Sequence, residues 1–88
     1  MTDTTMMMLI ETAHKLMQRR FVDLRVARIK AVAADLRYQE FISINLHDYG
    51  VIFNKLINAT LTADDNVQWA KLEYDIARRE LKRLLNLL

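Results

Sequence analysis

Apolar residues in the last third of the chain recur at alternating intervals of three and four. They form what we call the C-terminal stripe: Val67, Ala70, Tyr74, Ala77, Leu81, Leu84 and Leu88. This spacing places all of them on one side of an α-helix, as in the a and d positions of a coiled coil. Thr62, with Asp65 three residues later, resembles a capping box and predicts that this helix spans 63–87. The regularity of the stripe predicts that another helix covers it.

The first half of the chain carries two apolar stripes on one predicted helix, residues 5–38. The first stripe, which Arg20 interrupts, consists of Ile10, Ala13, Met17, Leu24, Ala27, Ala31 and Ala34. The second stripe consists of Val22, Val26, Ile29, Ala33 and Leu36. Two apolar sides are typical of a central helix. A straight helix of this length measures about 50 Å, which exceeds the diameter of a compact globule of 88 residues. The helix is therefore kinked at 18–21, or the protein is elongated or oligomeric.

The middle of the chain is less regular. Residues 41–46 alternate in polarity and are interpreted as helix or irregular structure, and Asp48 is a candidate cap for a short helix over 49–60. The chain has no proline, and Gly50 is its single glycine, which favours helices joined by short connections. We therefore predict one all-α domain, residues 1–88. Its architecture is an elongated and oligomeric three-helix bundle in long-short-long order, or a helical hairpin.

The small residues within the C-terminal stripe refine this prediction. Ala70 and Ala77 occupy its middle, where a leucine zipper would have large side chains. Small residues permit close helix approach and bury less area than leucine does. We therefore expect the stripe to pack inside a bundle, against the alanines of the first stripe (Ala27, Ala31 and Ala34), rather than in a free-standing coiled coil.

Composition points to a partner and away from a membrane. Apolar residues make up 52% of the chain, above the usual globular range, and surplus apolar surface on a small protein favours a partner or an oligomer. The absence of cysteine excludes disulfides and thiolate metal sites. The longest apolar run, residues 6–10, is too short to cross a bilayer, and Asp3 lies where a signal peptide carries basic residues. We expect a cytoplasmic protein.

The net charge of +2 is unevenly distributed. Residues 39–66 contain one basic and four acidic residues, whereas the segments on both sides are net basic. This distribution favours head-to-tail packing of copies, or neutralisation of the ends by the middle of the same chain.

No arrangement of residues predicts a metal, a cofactor or a catalytic centre. Glu11 and His14 have the spacing of half a di-iron site, but a second such pair is missing. His47 and Asp48 resemble an orienting pair, yet no motif places a nucleophile beside them.

The chain length and the long-short-long pattern resemble the small all-helical chorismate mutases. Arg20 and Arg37 match the separation of that family's first two arginines. The lysine that the family requires next falls on Asp48, and its later acidic residues fall on Ile57 and Leu61. The resemblance therefore ends after two residues, and we do not expect an enzyme.

Basic residues on the predicted first and last helices suggest a second class of function. Together they are Lys15, Arg19, Arg20, Arg25, Arg28, Lys30 and Arg37, followed by Arg78, Arg79, Lys82 and Arg83. If both sets lie on one continuous face, a helical dimer could contact nucleic-acid phosphates through them. The alternative is a solvated surface with Asp23 and Asp35 as local partners, and a last turn whose basic residues favour the helix dipole. Neither a helix-turn-helix nor a base-stacking platform is indicated.

The favoured hypothesis is a small helical protein–protein interaction module. It would act as an adaptor, inhibitor or assembly subunit, of the kind that phages and other mobile elements encode, by docking apolar helix faces with basic steering. Its partner is another protein, a second copy of itself, or both. The residues predicted to contact the partner are Arg19, Arg20, Arg25, Arg28, Trp69, Arg79, Arg83, Leu84 and Leu88.

Overall fold

Two long helices make up the described part of the chain. The structure is a computed structural model, and it describes residues 3–44 and 50–88. Helix α1 spans Asp3–Ile44 and helix α2 spans Val51–Leu85. They pack side by side as an antiparallel hairpin that measures 67 × 15 × 13 Å. Its length matches that of α1, because 42 residues of α-helix extend about 63 Å. The all-helical class, the hairpin alternative and the elongated shape are confirmed.

The three-helix alternative is wrong because α2 does not break at the predicted capping box. Thr62 and Asp65 are exposed within a continuous helix, and the Thr60 hydroxyl donates a hydrogen bond to the Leu56 carbonyl at 3.0 Å, one turn back. The apolar side of the predicted short helix continues in phase into the C-terminal stripe. Packing of this whole side against α1 outweighs a local capping preference, since tertiary contacts supply most of the stability of a helix in a protein.

Helix α1 is longer than predicted. It continues six residues beyond Tyr38, so the first part of the ambiguous segment is helical. In this extension the ring of Phe41 lies 6.4 Å from that of Phe53 in α2. Gly50 precedes α2, and its carbonyl accepts a hydrogen bond from the Asn54 N–H. The proposed cap at Asp48 and the His47–Asp48 pair lie outside the described residues.

Contacts between the helices set the register of the hairpin. Near the middle, the rings of Phe21 and Tyr74 lie 5.7 Å apart. At the open end, Leu81 and Leu84 pack with Ala13, flanked by Ile10 and Met17. The expectation that the C-terminal stripe packs against Ala27, Ala31 and Ala34 is therefore wrong for its leucine end. A hairpin pairs the end of one helix with the beginning of the other. Ala27 instead lies beside Ala59 and Ala63, in the first half of α2.

The hairpin has a thin core. Six hydrophobic residues among those described are buried: Ala13, Leu24, Ala63, Ala77, Leu81 and Leu84. Helix α2 covers the first stripe of α1, whereas every member of the second stripe is exposed. Within the hairpin α1 is thus covered on one side only, and the second apolar side that suggested a central helix faces outward.

The total surface is large for this mass. The chain exposes 7010 Å², whereas a compact monomer of 10.4 kDa exposes about 5400 Å². The difference comes from the elongated shape and from the large apolar side chains that remain outside the core. The hairpin therefore presents more apolar surface than a compact domain of its size.

Candidate interaction surface

One long face of the hairpin contains Trp69, and we call it the Trp69 face. Along α2 it follows Thr62, Asn66, Trp69, Glu73, Ile76 and Glu80, which recur at intervals of three and four and therefore form one line. From α1 this face includes Leu16, Asp23, Val26 and Lys30, because these residues line the same two grooves as the α2 line does.

The larger groove of the Trp69 face forms where small side chains of the two helices lie next to each other. Ala27 of α1 and Ala63 of α2 line it, and Ala59 extends it along α2. It is open to solvent, with a volume of about 500 Å³. Asp23 and Lys30 line it from α1, one helical turn to either side of Ala27. The arrangement is an apolar depression with a carboxylate and an ammonium group along its edge.

Trp69 lies next to this groove and is 66% exposed. In the sequence, Trp69 lies three residues after Asn66, which lines this groove. It lies four residues before Glu73, which lines the second groove. Leu72 and Ile76 continue an exposed apolar strip from Trp69 toward the open end. The helical spacing of Trp69, Leu72 and Ile76 is compatible with a second buried side of α2 or with an interface anchor. Within the hairpin all three side chains are exposed.

Arg20, a predicted partner contact, forms ion pairs within the hairpin. It lies half-buried where the first stripe is interrupted, and its guanidinium makes ion pairs with Asp23 at 3.3 Å and with Glu73 at 3.4 Å. One cation between two carboxylates leaves this three-residue group with a net negative charge. The sequence suggested Asp23 as a local partner, but Glu73 becomes a neighbour only through the antiparallel register.

The other predicted basic contacts do not share one face. Arg19 and Arg28 are nine residues apart, so they point about 180° away from each other around α1. Arg25 and Arg28 share a side of α1 and are exposed, and no ion pair holds either of them within residues 3–44 and 50–88. Arg79 is likewise exposed on α2. The structure does not gather the arginines into a single basic surface.

Arg83 is paired within its own helix. Its guanidinium donates two hydrogen bonds to the Glu80 carboxylate, at 2.7 and 3.0 Å. These bonds favour both charged forms, so they lower the pKa of Glu80 and raise that of Arg83. Both side chains are exposed, and such surface pairs contribute little to stability.

The two predicted leucine contacts have different environments. Leu84 is buried in the core of the hairpin against Ala13. Leu88 lies beyond the end of α2 and is 75% exposed, so the helix does not carry the C-terminal stripe to its last member. Leu85 and Leu87 are exposed beside it.

Several residues of the Trp69 face were not predicted as contacts. Val26 stood out in the sequence only as a member of the second stripe, and Ile76 only by its helical spacing from Trp69. Ala59 and Asn66 carried no functional signal. The groove forms between two helices, so only their relative register reveals it. The one signal in the sequence was the surplus of apolar positions outside the two stripes that pack together.

The described part of the chain contains neither a cluster of metal-ligating side chains nor a membrane-spanning helix. No three His, Asp or Glu side chains gather there as metal ligands would. Neither α1 nor α2 contains an apolar stretch that would cross a bilayer.

Comparison with known proteins gives no relatives. No family model matches the chain, and neither a curated protein nor a solved structure matches it.

Proposed function

We propose that this protein is a helical docking module that binds a protein partner through the Trp69 face. The observation that carries the proposal is the uncovered apolar surface of the hairpin, which includes an exposed tryptophan beside an apolar groove. Large exposed apolar patches mark interaction sites on small proteins. Tryptophan is the residue type most enriched among residues that dominate binding energy.

The basic residues have a supporting role in this proposal. Charges at the rim of an interface steer association and set its salt dependence more than they set affinity. Exposed residues such as Arg19 near Leu16, at one end of the Trp69 face, are suited to that role. The chain would then act by occlusion or bridging, as an inhibitor, adaptor or assembly subunit, without catalysis.

A variant in which glutamine replaces Trp69, Leu72 and Ile76, called the Trp69-strip variant, tests the proposal. All three side chains are exposed, so we expect circular dichroism to show the same helix content. We expect the variant to retain at most about a tenth of the partner that the tagged wild-type chain captures from its host's lysate, because loss of such anchors costs 2 kcal/mol or more.

The matched control replaces Val32 by glutamine. Val32 is an exposed large apolar residue, and it lies about 160° around α1 from Lys30 of the Trp69 face. We expect this variant to capture the same proteins as the wild type. Equal capture by the wild type and the Trp69-strip variant would contradict the proposal.

Nucleic-acid binding is the second candidate function, and Arg25 and Arg28 favour it. They lie on one side of α1, exposed and without an ion pair in the described part of the chain. Binding through phosphate contacts would weaken steeply as salt rises, and replacing both arginines by glutamine is expected to reduce the log–log salt slope by about two. A filter-binding titration across salt concentrations measures this slope. No binding at low salt would rule out this candidate.

A further inference from the structure

We propose that the occupant of the Trp69 face is a second copy of this chain, and that two hairpins pack through it as an antiparallel four-helix bundle. The inference rests on the proposed function and names its partner. In this dimer, Trp69 of each copy fills the groove of the other beside Ala59, Thr62 and Ala63.

The area that the hairpin leaves uncovered fits a dimer. Its surface exceeds that of a compact monomer by about 1600 Å². One partner of a standard protein interface contributes about 800 Å², and obligate homodimers bury more. Covering one long face in each copy is therefore enough to bring the exposed surface toward that of a compact protein.

The Trp69 face carries both a projection and a depression that receives it. A two-fold symmetric interface uses the same patch on both subunits, so the patch must be complementary to itself. Trp69 lies three residues after Asn66, and Thr62 of the groove lies four residues before it. A two-fold axis that crosses the hairpin at the level of Asn66 exchanges these positions and places each indole over the groove of the other copy.

Charges around the groove agree with this axis. The negative group of Arg20, Asp23 and Glu73 lies on the Trp69 side of Asn66. Lys30, which has no ion pair within the described residues, lines the groove from α1. The two-fold brings Asp23 of one copy near Lys30 of the second copy. If the two hairpins packed in parallel, Asp23 of one copy would instead lie level with Asp23 of the second copy, and Lys30 with Lys30.

Two features of the sequence make formation of this dimer measurable. Trp69 is its single tryptophan, so its emission reports directly on the solvent exposure of this site. The chain has no cysteine, so a single introduced cysteine forms disulfides only between copies. Asn66→Cys lies at the proposed axis, and Gln68→Cys, about 200° further around α2, serves as the matched control.

Sedimentation equilibrium and fluorescence of the full chain test the proposal first. We expect a dimer at high micromolar concentration, and tryptophan emission that shifts to longer wavelength as dilution dissociates it. Trp69→Ala is expected to raise the dimer dissociation constant about a hundredfold or more, since each dimer loses two anchors. Val32→Ala, about 160° around α1 from Lys30 of the Trp69 face, is expected to leave it unchanged. On oxidation, Asn66→Cys is expected to form a covalent dimer and Gln68→Cys to remain mainly monomeric.

Two results would overturn the inference. One is a wild-type chain that stays monomeric at high micromolar concentration. If such a monomeric wild type captures a host protein that the Trp69-strip variant does not capture, the second copy is excluded as the occupant and the docking function stands. The other is a dimer that Trp69→Ala leaves intact, or that both cysteine variants cross-link equally, which places the interface elsewhere on the hairpin.

Discussion

Replacing Leu24 with alanine is expected to lower the free energy of unfolding by about 2–4 kcal/mol, the usual cost of such a truncation in a core. Leu24 is 3% exposed and is the most deeply buried residue described. It lies near the middle of α1, in a core where alanines are frequent and few large side chains are available to fill a cavity. Domains of this size have total stabilities of about 4–13 kcal/mol, so the loss is a large fraction of the whole.

Urea unfolding followed by circular dichroism measures this change. Protein concentration has to be held fixed between variants, because association of the folded state adds to its apparent stability. Leu36→Ala is the matched control: it removes the same atoms from the same helix, at a site that is 53% exposed. We expect a change below about 1 kcal/mol for this control. Equal losses from the two variants would mean that the first stripe is not the side of α1 that α2 covers.

Enlarging Ala77 to leucine is expected to destabilise the hairpin by about 1–3 kcal/mol, although leucine is a good helix former. Ala77 is 4% exposed and lies between the helices, where it lines a groove with Leu16 and Arg20. A larger side chain there forces the helices apart. We expect this separation also to lengthen the ion pair between Arg20 and Glu73.

The same urea experiment measures the effect of Ala77→Leu, and Ala33→Leu is its control. Ala33 is exposed in the second stripe, so the added atoms meet solvent and the expected change is within about 0.5 kcal/mol. An Ala77→Leu variant as stable as the wild type would show that close approach of the helices at this position contributes nothing to the stability of the hairpin.

The boundaries of the helices show where local signals were sufficient and where they were not. The absence of proline and the scarcity of glycine were enough to predict an all-helical chain, because both residues act on the backbone locally. The capping box at Thr62 is also a local signal, and it predicted a break that does not exist. The apolar side that runs through Phe53, Leu56 and Val67 is stabilised only when α1 packs against it, and this contribution is absent from a local pattern.

The candidate site likewise combines features that the sequence predicts with features that only the packing of the two helices creates. The position of Trp69, one residue outside the C-terminal stripe, made it a predicted contact, but the sequence did not decide whether its side chain is buried or exposed. The structure leaves it exposed. The groove beside it was not predicted, because Ala27 and Ala59 are more than thirty residues apart in the chain and lie together only in the hairpin. Likewise, the sequence identified Arg20 as a basic residue within an apolar stripe, whereas its pairing with Glu73 depends on the register.

The sequence by itself determined that the chain is helical and which positions on each helix are apolar, because helix periodicity depends on neighbours three and four residues away. Only the tertiary structure decided that α2 is continuous, that its leucine end packs on Ile10, Ala13 and Met17, and that the second stripe of α1 is left uncovered. Both stripes of α1 satisfy the helical period equally well. Which of them is buried depends on how α2 packs against α1, and contacts between distant parts of the chain decide that.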